Sequence, residues 1–389
     1  MIKALLTHEV GSLAKPGWRV KAYAGRPVPS ADVDDARRWG ERLGVEGYED
    51  LLALLRQAPL ASDRRAEVAR WSSVYGVRFL EAAGLDVVYD GEQQRSEMYN
   101  WAVARANGLE ARGSVRSFDN KYYTKAAVIG PVSLSKPFHD EEFSQVEQVA
   151  HAELKVPVIG AYTIAAWSFD EYHHREDDLR ISAPRRREQR HQGRRRLSLE
   201  LASQLIRPNL ESLISLGARW LQVDEPGAST EPDELDLFVE SFNASVDGLD
   251  AVFSTHLCFS DYDLFFPAIE AMSGCQQYCV GFANDDTRDL GVTENARPGY
   301  QIIKRFRDLS YRPALGVGVL DIHTDFIEPP ELVRDRLIYA VEVFGDPQRV
   351  HVTPDCGLRT RTWDVAFAKL RNMVEGTRLA KSALGLPDG

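Results

Sequence analysis

Eight short runs of apolar and β-branched residues recur along the chain, and amphipathic segments separate most of them. This alternation limits the fold more than any other feature, because apolar runs of this length favour buried strands. Strands and helices that alternate in series are typical of a parallel sheet covered by helices. The predicted strands are residues 4–10, 86–89, 156–161, 220–223, 251–255, 278–282, 314–320 and 350–353.

The segments between the runs have helical periodicity, as at residues 331–344, where the apolar side chains share one helical face. Eight strand–helix repeats predict a (β/α)8 TIM barrel, and 389 residues is an ordinary length for such a barrel with insertions. A further apolar run at residues 126–134 predicts an inserted hairpin before the third strand. No linker or repeat divides the sequence, so we expect residues 1–389 to form a single domain.

Polar and reactive residues follow five of the eight predicted strands. In parallel barrels, active sites are assembled at the carboxyl ends of the strands. Core packing does not require reactive residues at so many strand ends. The pattern therefore predicts a functional site on the rim formed by the carboxyl ends of the strands. The residues are Gly91-Glu92, Asp224-Glu225, His256 with Cys258, Asp321 with His323, and Asp355-Cys356.

His256, Cys258 and Cys356 form the most specific of these groups. Strand residues two positions apart point the same way, so His256 and Cys258 are able to face one ion. Zinc favours nitrogen and sulfur ligands, and three protein ligands leave one coordination position open for chemistry. A single cysteine is more often a buried packing residue. The three residues together predict a catalytic zinc site.

A zinc site with two cysteine ligands favours chemistry at sulfur. A free thiol has a pKa of about 8.5, and coordination to a metal deprotonates it. The expected reactant is a zinc-bound substrate thiolate that attacks an alkyl carbon. Hydrolysis by zinc-bound water is the competing chemistry, and it ranks lower because two cysteine ligands make the ion less Lewis acidic.

Other residues on the rim have both a functional and a structural interpretation. Glu92 and Asp224 are predicted to bind a substrate ammonium group or to orient a metal-binding histidine; the alternative is a structural ion pair. His323, oriented by Asp321, is a candidate proton donor, although a histidine of this kind is more often structural. Trp167 offers a flat face for a heterocycle, or is a core aromatic residue.

The bulk composition argues against several classes of protein. Lys and Arg total 47 against 58 Asp and Glu, and this net charge of −11 argues against nucleic acid as a partner. Four cysteines in 389 residues do not make a disulfide framework. The N-terminal apolar stretch is too short for a signal peptide, and no apolar run is long enough to span a membrane. We therefore expect a soluble, cytoplasmic protein.

Residues 171–196 are densely charged and include two arginine triplets. The simplest interpretation of this segment is a solvated helix face or loop. The alternative is a basic rim that attracts the anionic tail of a substrate.

Seven runs together resemble the cobalamin-independent methionine synthase family, specifically its C-terminal catalytic barrel. They follow the family's order over nearly the whole chain, and the Asp-Glu-Pro, His-x-Cys and Pro-Asp-Cys-Gly-Leu runs are highly specific in combination. The matching runs are Thr7-His8-Glu9-Val10-Gly11-Ser12, Asp90-Gly91-Glu92-Gln93-Gln94-Arg95, Gly160-Ala161-Tyr162-Thr163 with Trp167-Ser168-Phe169, Gln222-Val223-Asp224-Glu225-Pro226, Thr255-His256-Leu257-Cys258, Asp321-Ile322-His323, and Pro354-Asp355-Cys356-Gly357-Leu358 with Asn372-Met373-Val374.

The resemblance implies a zinc (Zn²⁺) enzyme that transfers a methyl group to the thiol of homocysteine and forms methionine. The family's functional positions fall here on His256, Cys258 and Cys356 as zinc ligands; on Ser12, Glu92 and Asp224 around the amino acid; on His323 as proton donor; and on Trp167 near the pterin ring of methyltetrahydrofolate.

The sequence departs from the family's pattern in two places. The family's fourth zinc ligand is a glutamate on the sixth strand, which aligns here with Gly281. We expect Cys279, two residues earlier and facing the same way, or a water molecule to replace it. The chain also resembles the single-barrel core forms, so we expect no counterpart of the duplicated N-terminal barrel of the long enzyme. A methylated corrinoid, carried by a corrinoid protein, is therefore an alternative methyl donor.

Two alternative functions remain. Epoxyalkane:coenzyme M transferase belongs to the same superfamily, has a His-x-Cys pair with a distant cysteine, and opens an epoxide with a zinc-activated thiol. The sulfonate of coenzyme M calls for arginine or lysine near the site, whereas Glu92 and Asp224 favour a thiol that carries an ammonium group. The non-catalytic alternative is a barrel that only binds thiols or metal.

Overall fold

The structure is a computed structural model that describes residues 3–116, 122–174 and 182–387. Eleven strands lie within these ranges: β1 (Val87–Val88), β2 (Ala106–Arg116), β3 (Tyr122–Leu134), β4 (Glu153–Leu154), β5 (Val156–Ile159), β6 (Phe169–Asp170), β7 (Trp220–Asp224), β8 (Val252–Leu257), β9 (Gln277–Val280), β10 (Ala314–Gly318) and β11 (Val350–Thr353).

The same ranges contain thirteen α-helices: α1 (Gly17–Tyr23), α2 (Ser30–Leu43), α3 (Tyr48–Leu55), α4 (Ser62–Ala83), α5 (Met98–Val103), α6 (Asp140–Val149), α7 (Ala161–Trp167), α8 (Ala183–Leu201), α9 (Arg207–Ser215), α10 (Leu235–Val246), α11 (Ile303–Arg307), α12 (Pro330–Phe344) and α13 (Trp363–Leu384). The amphipathic segment predicted at residues 331–344 is α12. It buries Val333, Leu337 and Val341, and it ends at Gly345, whose φ of 81° suits a helix C-terminus.

Six parallel strands form a continuous ladder in the order β5–β7–β8–β9–β10–β11. They correspond to the last six predicted strands, and their ends differ from the prediction by at most two residues. The residues of β5 and β7 are all buried, as expected when helices cover one face of a parallel sheet and barrel side chains fill the other. In the register between β8 and β9, His256 lies opposite Cys279.

The two ends of this ladder are connected through shorter pieces of strand. β1 pairs with β4, and Lys155, which separates β4 from β5, donates its backbone N–H to a carbonyl of β1. Isolated parallel bridges join His8 to Val87 and Thr7 to Val352. The neighbour order is that of an eight-stranded parallel barrel, with the first predicted strand between β11 and β1.

The first predicted strand is shorter than the sequence indicates. Residues 4–10 are predicted to be extended, but pairing is confined to Thr7 and His8. Leu5 has a φ of 50°, a left-handed conformation that interrupts an extended strand. The chain after His8 then runs as a loop at the carboxyl end of the barrel.

The inserted hairpin before the third barrel strand is confirmed. β2 and β3 are antiparallel, from the pair Ala106–Leu134 to the pair Arg116–Tyr122. β6 adds a short parallel strand to β3.

Both arginine triplets of the arginine-rich segment lie in α8. Most of α8 is exposed to solvent, in agreement with a solvated helix face; residues 175–181 lie outside the described ranges. Apolar side chains from the strands and surrounding helices form the hydrophobic core. Among the described residues, no helix combines the length and the apolar character needed to cross a membrane.

Candidate metal and substrate site

One imidazole and two thiols meet at the carboxyl end of the barrel. His256 lies near the end of β8, Cys258 follows that strand directly, and Cys356 follows β11. The Cys356 Sγ lies 3.3 Å from His256 Nε2 and 3.7 Å from Cys258 Sγ. The three potential ligand atoms all lie within 4.8 Å of one another. The structure thus brings Cys356 next to a histidine that lies 100 positions earlier in the sequence and a cysteine that lies 98 positions earlier.

The spacing of these atoms suits a tetrahedral zinc ion. Zn–S bonds of about 2.3 Å and Zn–N bonds of about 2.0 Å place two sulfurs about 3.8 Å apart, and a sulfur and a nitrogen about 3.5 Å apart. The other ring nitrogen of His256, Nδ1, donates to the Cys279 carbonyl oxygen at 3.1 Å. This hydrogen bond leaves Nε2 as the free electron-pair donor, an arrangement that is usual for metal-binding histidines.

The protonation of the Cys356 thiol depends on a nearby cation. The hydrogen bond with Cys258, together with burial, raises the pKa of the Cys356 thiol well above its usual value. The thiol therefore keeps its proton at neutral pH unless a positive charge is close. A bound metal ion supplies that charge and deprotonates cysteine ligands.

Asp224 lies at the end of β7 on the same rim. Its Oδ1 accepts a hydrogen bond from Gln222 Nε2 at 2.8 Å. Burial raises the pKa of Asp224 to about 7, although the nearby His256 opposes the shift. Asp224 is thus a largely dehydrated carboxyl group close to the thiol–imidazole cluster.

Glu92 is a second buried carboxylate of the rim, and its backbone is strained. Its φ of 59° is uncommon for a residue other than glycine, and its N–H donates to Asp90 Oδ1 at 2.7 Å. Its Oε1 accepts from Arg95 Nη1 at 3.3 Å, and Arg95 also pairs with Glu142. Strained residues of this kind cluster at functional sites.

The neighbouring carboxylates Asp224 and Glu225 have different surroundings. Glu225 accepts hydrogen bonds from the N–H groups of Tyr162 and Thr163 at 3.1 and 2.7 Å, and from the Thr163 hydroxyl at 2.6 Å. It therefore satisfies donors in the first turn of α7, the helix that ends at Trp167. Asp224 remains at the rim, because consecutive strand residues point in opposite directions.

The loop after His8 lies across the rim and carries Ser12. Leu13 donates its backbone N–H to the Gly91 carbonyl at 3.0 Å. On the other side, a Cβ on Gly357 would approach the Ser12 backbone to 2.9 Å. Ser12 therefore lies between the turn that contains Glu92 and the turn that contains Cys356.

Trp167 contributes to an aromatic surface between α7 and the hairpin. Its ring packs against Tyr123 with centroids 5.3 Å apart and an interplanar angle of 31°, and against Tyr99 at 6.1 Å. Trp167 is half-buried, so part of this surface is accessible.

A cavity of about 570 Å³ adjoins this surface. Its charged lining residues have both signs: Lys125, Arg190 and Arg194, and Asp170, Glu171 and Glu231. The described part of the arginine-rich segment therefore does not form a rim of one charge.

His323 is the most exposed of the predicted site residues, with half of its side chain accessible. Its ring packs on Phe259, the residue after Cys258, with centroids 4.1 Å apart. Asp321 Oδ1 accepts the His323 backbone N–H at 2.8 Å but lies 3.7 Å from Nδ1, too far for a hydrogen bond. Asp321 thus holds the loop, and the expected orientation of the imidazole ring by this carboxylate is not seen.

Comparisons with known proteins identify the family. The family model for the catalytic domain of cobalamin-independent synthase matches residues 48–379. The chain belongs to the cobalamin-independent methionine synthase family. The methionine synthase of Thermoplasma volcanium is 37% identical over 387 residues, which cover 95% of this chain and 96% of that protein. The methionine synthase of Thermococcus kodakarensis is 29% identical over 381 residues and covers 98% and 94%, respectively.

A solved structure of a B12-independent methionine synthase from a Shewanella species has the same fold. The two chains are 19% identical, the TM-score is 0.72, and the match covers 98% of this chain and 99% of the other.

Gly281, the position where the sequence resemblance predicts the loss of a glutamate ligand, has little space for a side chain. A Cβ at this position would lie 3.0 Å from Asp355 Cβ and 3.1 Å from the Asp355 carbonyl oxygen. The Asp355 carboxylate is held there by the backbone N–H groups of residues 282–284 at 2.8–3.0 Å. Asp355 thus fills the space next to Gly281.

Cys279 does not join the thiol–imidazole cluster in the described structure. It is fully buried, and its Sγ lies 3.6 Å from Gln222 Oε1 and 3.8 Å from Gln277 Oε1. Two strand residues span about 6.6 Å, so Cys279 lies one layer below the position of residue 281. Of the two replacements expected for the glutamate, the geometry disfavours Cys279.

Sequence reasoning missed two charged residues of the rim. Glu9 is 3% exposed, and neither of its carboxylate oxygens has a hydrogen-bond partner among the described residues. Lys15 is half-buried in the same loop; burial lowers its pKa to about 8, while the nearby Glu92 opposes the shift. The available sequence signal is weak, since it consists only of their proximity to Gly11-Ser12 after the first strand.

Proposed function

We propose that this protein transfers a methyl group to the sulfur of homocysteine and forms methionine. The observation that carries the proposal is the position of His256, Cys258 and Cys356 on the same rim as Glu92 and Asp224. This rim combines a site for a thiol with a site for an ammonium group, and homocysteine carries both groups. Membership of the family supports the same reaction.

We propose zinc as the metal, because two thiols and an imidazole at tetrahedral spacing are ligands that zinc prefers. When bound, zinc supplies a Lewis acid that lowers the pKa of the substrate thiol. The protein orients the other groups: Glu92 and Asp224 bind the ammonium, while Ser12 and Lys15, which lie in the loop after the first strand, bind the carboxylate. Residues 1–389 would then act as a single methyltransferase-type barrel.

The methyl donor is proposed to bind over Trp167 and Tyr123, whose partly accessible rings suit a flat pterin. Holding thiol and methyl carbon in line supplies much of the rate enhancement in reactions of this kind. His323 is the proposed proton donor to the departing carrier, since it is exposed on the same rim. The relatives described above are methionine synthases. The experiment therefore tests coenzyme M as an alternative thiol and a methylated corrinoid as an alternative donor.

The proposal is tested by offering homocysteine and coenzyme M separately to the zinc-loaded protein and measuring proton release. Homocysteine is expected to release about one proton per site as its thiol ionises, and methyl transfer is then expected with methyltetrahydrofolate. If methyl transfer occurs only from methylcobalamin, the methyl donor is a corrinoid. If only coenzyme M releases a proton, coenzyme M replaces homocysteine as the thiol substrate. If neither thiol binds, the alkyltransferase proposal is wrong.

Two cysteine variants provide a matched test of the metal site. Cys356→Ser removes a proposed ligand, so zinc content and methyl transfer are expected to fall by about 100-fold or more, beyond the 10- to 100-fold typical of residues that only support a ligand. Cys279→Ser changes a buried thiol outside the cluster and is expected to retain zinc. Equal zinc loss in both variants would contradict this ligand set.

A further inference from the structure

Glu9 is a buried carboxyl group whose hydrogen-bonding capacity is unused. Its side chain is 3% exposed, and both oxygens lack a partner among the described residues. Burying such a group without hydrogen bonds costs free energy. Structural carboxylates of proteins are normally paired when they are buried to this extent, so this group calls for a ligand.

Lys155 does not fill this role, although it is the nearest cation. Its Nζ lies 2.6 Å from the backbone carbonyl oxygen of Glu9, 2.9 Å from His8 Nδ1, and in contact with Gln222 Oε1. No hydrogen bond joins Lys155 Nζ to either carboxylate oxygen of Glu9. The carboxylate of Glu9 is therefore left unpaired even though Lys155 touches the same residue.

Hydrogen bonds place the chain around Glu9 beside the other two carboxyl groups of the rim. Gln222 Nε2 donates both to the carbonyl oxygen of Val10 and to Asp224 Oδ1, and Leu13 donates its N–H to Gly91, which precedes Glu92. Burial raises the pKa of Glu9 to about 8; Lys155 opposes the shift, whereas Glu92 and Asp224 add to it. We call Glu9, Glu92 and Asp224 the acidic recess. Glu92 and Asp224 each use one carboxylate oxygen for a protein donor, Arg95 and Gln222 respectively. The recess has three acceptor groups of one sign and lies next to the thiol–imidazole cluster.

We propose that Glu9 binds the ammonium group of an amino-acid thiol, as the third acceptor beside Glu92 and Asp224. An ammonium group carries three N–H donors, so three carboxylates satisfy it completely and supply the positive charge that the recess lacks. The inference rests on the proposed function, since it concerns how the same site recognises its thiol substrate. According to this inference, Glu9, which is not one of the predicted residues Ser12, Glu92 and Asp224, distinguishes thiols that carry an amino group from thiols that do not.

The test compares homocysteine with 4-mercaptobutyrate, which has the same thiol and carboxylate but no amino group. Binding to zinc-loaded wild type and Glu9→Gln is measured by calorimetry. Loss of a hydrogen bond to a charged group is expected to weaken homocysteine binding on the order of 10- to 100-fold in the variant. Binding of 4-mercaptobutyrate is expected to change by less than about 2-fold, because it makes no ammonium contact.

Glu97→Gln is the matched control. Glu97 is a half-buried carboxyl group that also interacts with Glu92, but it already accepts the Asn100 N–H at 3.1 Å. Both thiols are expected to bind this variant as they bind wild type. Glu9→Asp, which keeps the charge at a shorter reach, is expected to retain part of the preference for homocysteine and remains informative if Glu9→Gln does not fold.

The inference is overturned if Glu9→Gln weakens both thiols equally, weakens neither, or if Glu9→Asp leaves the ratio of the two affinities unchanged. Failure of the proposed function gives a different result. In that case, wild type itself would not bind homocysteine or transfer a methyl group, whichever residue stands at position 9.

Discussion

Two groups of buried charges in this protein differ in whether the charges are balanced. Beside the loop that carries Asp321, Lys369 of α13 and Glu328 are both fully buried and pair at 2.8 Å. On the rim, the acidic recess holds three carboxyl groups, and Glu9 has no hydrogen-bond partner among the described residues. The balanced pair completes its interactions within the chain, whereas the recess needs a cation from outside. A buried carboxyl group without a partner is therefore a better indicator of a binding site than a buried ion pair.

Breaking the balanced pair is expected to have the largest effect. Lys369→Met leaves Glu328 buried without its cation and removes a donor to the Asp321 carbonyl. Loss of one partner of a buried pair costs about 3–5 kcal/mol, so the free energy of unfolding in urea should fall by that amount. Lys304→Met is the control, since its partner Glu294 is exposed and little change is expected. Equal losses in the two variants would contradict the comparison.

Replacing Glu9 in the acidic recess is expected to have the opposite effect on stability: the variant should lose less stability than wild type as pH rises. The pKa of Glu9 rises to about 8 on folding, so between its usual value and that value the folded state keeps a proton that the unfolded chain releases. The free energy of unfolding therefore falls as pH rises through this interval. Between about pH 5 and pH 8, Glu9→Gln should lose about 2–3 kcal/mol less stability than wild type.

Urea unfolding at several pH values measures this difference. Other buried carboxyl groups, such as Asp224, are common to both proteins and their contributions cancel. Superimposable stability–pH curves would show that Glu9 is ordinarily solvated or paired.

Asp355 is an intermediate case, since its buried carboxylate is satisfied by backbone N–H groups next to Gly281. Gly281→Ala would push a methyl group against Asp355. Overpacking of this kind is expected to cost about 1–2 kcal/mol, again measured by urea unfolding. Gly130→Ala is the control, because nothing lies within 4 Å of a Cβ at that position. A neutral Gly281→Ala would mean that the space beside Asp355 is free for a larger side chain.

The barrel strands were predictable because their signal is local. The runs that became β7, β8 and β11 are apolar and short, and their pattern predicts burial without knowledge of the partners. The piece β4 was not predicted, because the charged Lys155 follows it. The burial of Lys155 depends on acceptors from residues far away in the sequence, the Glu9 carbonyl oxygen and Gln222, which a local pattern does not contain.

The chemistry of the site was predictable where it depends on the type of residue. It was less predictable where it depends on how deep in the barrel a side chain lies. His256, Cys258 and Cys356 stand out by type and meet in space. The alternation rule gave the side of β9 on which Cys279 lies, but not its layer in the barrel. Glu9 was missed because an unpaired carboxylate has the same letter in the sequence as a solvated one.

The bridge between Thr7 and Val352 has a consequence for the order of biosynthesis. This seam joins the first strand to the last, so Glu9 of the recess and Cys356 of the thiol–imidazole cluster follow the two strands that it pairs. A nascent chain exposes Glu9 hundreds of residues before it contains Cys356. Since domains fold as units during synthesis, the unpaired carboxylate and the two thiols come together only at the final step, when the last strand is added.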